Sequence, residues 1–161
     1  MFIYLIKMLS KEELKLYKIT FWEEFKLHMS KHRSASGRKM NWLQYKTDIK
    51  QIFLRLETNK SNVRVCFDIQ FKDAGIRSIV WEQMGELKKV LNDEMKEDGV
   101  WEEHFWNDTI DDFCRIYWEK SDLNYLDKNN KQAIFNFFED KLIYFDKFYD
   151  VYKDILINLI K

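Results

Sequence analysis

Between positions 52 and 72 the chain alternates apolar and polar side chains with a period of two, on either side of a short polar turn. Ile52, Leu54 and Leu56 interleave with Phe53, Arg55 and Glu57. After Asn59-Lys60-Ser61, the residues Val63, Val65, Phe67, Ile69 and Phe71 interleave with Arg64, Cys66, Asp68, Gln70 and Lys72. Successive side chains of a strand point to opposite faces. This pattern therefore dictates a β-hairpin with one face on a core and the other toward water or a partner. The remaining segments must cover that apolar face.

Helical periodicity supplies the cover. Ser10-Lys11-Glu12-Glu13 reads as a capping box opening a helix to about His32, with Leu14, Tyr17, Phe21, Phe25 and Met29 along one face. A second helix is expected over Ala74–Lys96 on Ile76, Ile79, Val80, Leu87, Val90 and Leu91, with Gly99 after its end. Two further strands fall near Val100–Trp106 and Phe113–Trp118, joined by the acidic turn Asn107–Asp112. The last helix runs from about Asn130 to Ile160, capped by Asn129 or Asn130. Its stripe is Ile134, Phe137, Phe138, Leu142, Phe145, Phe148, Tyr149, Tyr152, Ile155 and Leu159. Proline is absent and there are only four glycines, which argues against linkers and long irregular loops. The order α-ββ-α-ββ-α implies a single α+β domain over residues 10–161, an antiparallel sheet with helices packed on one face. Residues 1–9 read as a short N-terminal extension or an edge strand.

Several chemistries are disfavoured. Gly37, Gly75, Gly85 and Gly99 are too far apart for a glycine-rich phosphate loop. Cys66 and Cys114 fall in different strands with no C-x-x-C, as expected of reduced thiols in a cytoplasmic protein. The opening apolar run, broken at Lys7, is too short for a signal or a membrane span. His28 and His32 share a helical face, but no third ligand is evident and Met29 stands where a metalloprotease needs Glu, so neither a metal nor another cofactor is expected. No Ser sits in a nucleophile elbow, and His104 has no evident partner, so no catalytic residues are assigned. A degenerate nuclease would use Asp48, Asp68 and Lys72, yet Gln70 stands where a metal-binding carboxylate is preferred.

Charge is neutral in sum but unevenly distributed. Lys26 to Lys50 holds seven Lys/Arg against Asp48 alone, a balance of +6. Glu82 to Asp112 holds eleven acids against three Lys, a balance of −8. In the basic segment Arg38, Lys39, Lys46 and Lys50 interleave with Asn41, Trp42 and Tyr45. Cations neutralise phosphates and exposed rings stack on unpaired bases, so this segment is the candidate nucleic-acid site. Two readings of the rings stay open, stacking platforms or buried anchors of the loop. Two partner classes stay open as well, nucleic acid or a protein partner, including a second copy whose acidic face pairs with the basic one.

The same segment carries a resemblance. Gly37-Arg38-Lys39, Asn41-Trp42, Tyr45-Lys46-Thr47 and Ile49-Lys50 resemble the G-R-K-x-N-W-x-x-Y-K-T-x-I-K stretch of the bacterial family called domain of unknown function 4268. Phe21-Trp22, Glu82-Gln83, Glu86-Leu87-Lys88, Trp101, Arg115-Ile116-Tyr117 and the stretch from Asp127 to Phe138 extend it. Two positions depart: Asp48 stands where the family often has Gly, and Lys131-Gln132 where it tends to have Trp-Pro. The resemblance implies a compact α+β domain and, since longer relatives carry it behind a nuclease-like domain, a nucleic-acid context. It implies no activity.

Overall fold

The computed structural model describes residues 9–161, so the expected extension or edge strand falls, Leu9 apart, outside the described residues. Helix α1 spans Lys11–Met29, with Ser10 accepting the Glu13 N–H at 3.1 Å. A basic loop containing the 3-10 turn Trp42–Gln44 leads to strand β1 (Ile52–Thr58) and its partner β2 (Asn62–Ile69). Helices α2 (Ala74–Glu86) and α3 (Lys88–Met95) follow, then β3 (Val100–Phe105) and β4 (Phe113–Ser121). A 3-10 turn, Lys128–Asn130, opens the 29-residue helix α4 (Lys131–Leu159). All strand pairs are antiparallel and the order across the sheet is β1-β2-β4-β3. None of the described helices is long and apolar enough to cross a membrane.

One face of the sheet carries Ile52, Leu54, Val63, Val65, Phe67, Ile69, Cys114, Ile116 and Trp118, all buried in the core. The helices pack there. Phe67 lies 5.2 Å from Phe145 and 6.2 Å from Tyr149 of α4, while Phe21 and Phe25 of α1 meet Phe135 of the same helix. The α+β architecture with helices over an antiparallel sheet is as the periodicities predict.

The second helix is a correction. Its expected course is two helices, with buried Leu87 at the joint two residues after Gly85, a weak helix former deep in the stretch. Val80, Met84, Leu87, Leu91 and Met95 are buried at steps of four and three residues, while Ile76, Ile79 and Val90 from the expected stripe are exposed. The left-handed residue that ends α3 is Lys96 (φ 60°), not a glycine. Gly99 serves another purpose: a Cβ there would sit 3.0 Å from Ile116 and 3.1 Å from Trp118.

The outer face also departs from the expected solvated row. Asp68 is fully buried and Arg115 is 2% exposed, directly opposite each other in the β2–β4 register. Arg115 Nε and Nη2 donate to the two oxygens of Asp68 at 2.7 and 2.9 Å, and Nη1 donates to Glu57 at 3.0 Å. The Phe105 ring covers the guanidinium at 4.5 Å, so this one side chain on β4 engages β2, β1 and β3. Burial pushes the Asp68 carboxyl up, against the pull of Arg115; burial also opposes the Arg115 charge, but the Asp68 bonds outweigh it and raise its pKa. The bidentate geometry supports an ionised pair. Cys66 is buried on this outer face opposite Tyr117 and Cys114 on the core face opposite Ile69, so the sheet itself separates the two free thiols.

Without Arg115 the buried Asp68 carboxylate keeps, among the described residues, only the exposed Arg55, at 3.5 Å, as a cationic neighbour. Arg115→Met is therefore expected to lower stability by about 3–5 kcal/mol, and adding Asp68→Leu to recover much of that loss. Urea unfolding of the single and double variants checks both.

Candidate functional site

The loop between α1 and β1 is built from short-range bonds first. Ser34 N–H donates to the Arg38 carbonyl at 2.8 Å, and Gly37 N–H to the Ser34 carbonyl at 2.8 Å, closing a tight turn in which Gly37 takes φ 83°. Asn41 starts the 3-10 turn by accepting the Leu43 N–H at 3.2 Å. Thr47, buried, accepts the Ile49 N–H at 3.2 Å, and its hydroxyl reaches the carbonyls of Ile49 and Ile52.

Helix α4 then fixes the loop in space. Asp146, 5% exposed, accepts the Tyr45 hydroxyl on one oxygen and the Ala35 N–H on the other, each at 2.7 Å. One turn on, Tyr149 donates to the Thr47 carbonyl at 2.7 Å. Burial pushes both tyrosine hydroxyls up; for Tyr45 the Asp146 bond adds to the rise. Lys153 reaches Asp48 at 3.2 Å. None of these α4 partners was signalled in the sequence: Asp146 stands within an aromatic stripe more than a hundred residues from Tyr45, and only the fold joins them.

Trp42 is 4% exposed and packed in the core, its indole N–H directed at the His32 carbonyl. That removes the stacking role allowed for it and leaves the anchoring one, because its faces are covered by apolar neighbours. Tyr45 is half-buried, with its ring edge-on to Phe145 and its hydroxyl engaged. The side chain of Asn41 is exposed but holds the turn.

The other four candidates behave differently. Arg38, Lys39, Lys46 and Lys50 are exposed, and among the described residues none lies in an ion pair. Arg38, Lys39 and Lys46 line a groove of about 380 Å³ between the loop and α4, with Tyr45, Asp146, Asp150 and Lys153 on its other sides.

The remaining sequence candidates are engaged elsewhere. His28 and His32 do share a face, and both point Nε2 at Glu139 of α4, on different oxygens. His104 contacts Asp112 and Glu103. Asp68, the acid a nuclease would need, is held by Arg115 with no exposed surface, Gln70 and Lys72 lie beyond the end of β2, and Asp48 pairs with Lys153. Among the described residues no three His, Cys, Asp or Glu side chains are grouped to hold a metal ion.

The family model described as Domain of unknown function (DUF4268) matches residues 17–153, and the chain belongs to that family. No curated protein and no solved structure matches it. Both departures from the family pattern find a physical reason. Asp48 has φ 63°, a left-handed conformation that glycine adopts without strain. Lys131-Gln132 open α4, where a proline's missing N–H costs nothing, and Lys131 instead pairs with Glu24.

Two outcomes follow. Trp42→Ala is expected to cost about 3–5 kcal/mol in a thermal or urea melt, as for any large ring removed from a core. Burial raises the Glu139 carboxyl, but bonds from His32 and His28 outweigh it and hold its pKa below the ordinary 4.5. A carboxyl depressed by folding contributes stability that is present above 4.5 and lost as pH falls through the folded value. Glu139→Gln should therefore be less stable than wild type near neutrality, with the gap narrowing in acid, measured by urea midpoints across pH.

Proposed function

We propose that this member of the family is a non-enzymatic nucleic-acid-binding module that grips the phosphate backbone with Arg38, Lys39, Lys46 and Lys50. The supporting observation is a division within the motif. Gly37, Asn41, Trp42, Tyr45, Thr47 and Ile49 are each used by the fold, whereas the four cations are engaged by no acid among the described residues. Folding alone does not require a rigid loop to carry four uncompensated positive charges. Three of them line one groove, and such a cluster suits a polyanion, whose binding releases counterions.

The contacts are to phosphate rather than to stacked bases, since Trp42 is inside the core. Affinity is accordingly weak to moderate, tolerant of sequence and steeply dependent on salt. Cleavage forms no part of the role. Asp68, the carboxylate best placed in sequence for metal chemistry, neutralises Arg115 instead.

Titration of labelled single- and double-stranded oligonucleotides across a salt series tests this reading. With four single-strand phosphate contacts, log K should fall against log salt with a slope of about −3, and Lys46→Ala should make it shallower by about 0.7. Asp48→Gly, which removes the lone acid of the segment and relieves its positive φ, should tighten binding without loss of stability. Affinity indifferent to salt, or unchanged when Lys39 and Lys46 are both replaced by Glu, would sink the proposal.

A further inference from the structure

At the opposite charge extreme of the chain, the β3–β4 connection presents an aromatic knob. Trp106 directly follows edge strand β3 and is 70% exposed, the most of any tryptophan. The turn beyond it is held without help from the indole. Asn107 Oδ1 accepts the Thr109 and Ile110 N–H groups at 2.9 and 2.8 Å, and Asn107 N–H donates to the Ile110 carbonyl at 2.9 Å. On the β4 side, Asp112 receives Arg77 from α2 and His104 from β3, each at 3.0 Å. Asp108 and Asp111 remain exposed, with no ion pair among the described residues.

A large ring on a pre-shaped support, flanked by uncompensated acids, has the anatomy of a protein-binding hot spot rather than of a solvated turn. Its complement lies on the same molecule. The groove beside the basic loop carries Arg38, Lys39 and Lys46, in no ion pair among the described residues, beside the half-buried Met40 and across from Asp48, Asp146 and Asp150; a cation is received best on the face of an indole. We infer that a second copy of this chain is the partner: Trp106 of one copy enters the groove of the next. Asp108 and Asp111 then meet groove cations such as Lys46.

The contact is heterologous, knob to groove, so an open assembly keeps one free knob at one end and one free groove at the other unless a ring closes. The inference does not rest on nucleic-acid binding. Where both occur they exclude one another, because they use the same groove.

Sedimentation velocity of the full chain without nucleic acid, over a concentration series at low and high salt, tests it. The expected result is concentration-dependent association that salt weakens. Trp106→Ala and Lys46→Glu, both on exposed side chains, should each sediment as monomers at least tenfold beyond the wild-type association midpoint, with unchanged melts. Mixed in equal amounts they should form a capped 1:1 dimer, since the first variant retains a groove and the second a knob. A wild-type chain monomeric throughout would overturn the inference, as would association that survives Trp106→Ala or a mixture that stays monomeric. So would a monomer whose fluorescence shifts with an added lysine-rich peptide and loses that shift in Trp106→Ala, which would assign the knob to a foreign basic partner.

Discussion

One carboxylate in an otherwise aromatic helix stripe decides where the basic loop sits. Asp146 is nearly inaccessible, and both of its oxygens are occupied, by the Tyr45 hydroxyl and the Ala35 N–H. A buried carboxylate left unpaired would be costly, whereas hydrogen bonds to a charged group contribute about 1.5–3 kcal/mol each. The two bonds are ten residues apart in the loop, so they fix both its ends against α4. With Tyr149 bonded to the Thr47 carbonyl and Trp42 inserted in the core, a glycine- and serine-containing loop becomes a rigid shelf.

Helix α4 does the same for other parts of the molecule through two more of its polar residues. Glu139 draws His28 and His32 at the end of α1, and Lys141, 7% exposed, donates to the Met95 carbonyl at the end of α3. Glu139, Lys141 and Asp146 thus each close a different chain segment onto the same core. The sheet has its own counterpart in Arg115, whose fork binds Asp68 and Glu57 under the ring of Phe105. These groups give the packing one register, since a slipped strand or rotated helix would leave a charge buried alone.

Against this background the charge distribution acquires meaning. The acids of β3 and its following turn and the cations of the α1–β1 loop are adjacent to rigid supports, not to long mobile segments. Preorganised charge loses little entropy on binding, which is the property a recognition surface needs.

The strand alternation at 52–69 and the apolar spacing of α1 and α4 were readable because period alone places side chains on one face. So were the family and the basic segment, each carried by contiguous residues. What escaped was every feature set by distant partners. The outer sheet face looked solvated until the β2–β4 register set Arg115 against Asp68, and Trp42 and Tyr45 were equally compatible with stacking or anchoring. The break at Leu87 and the exposure of Ile76 and Ile79 likewise followed from which surfaces remained to be covered. Local sequence determines which face of an element is apolar and where charge is dense. Whether a polar or aromatic side chain on that element is buried depends on what arrives opposite it, and for this chain that was settled in part by residues more than a hundred positions away.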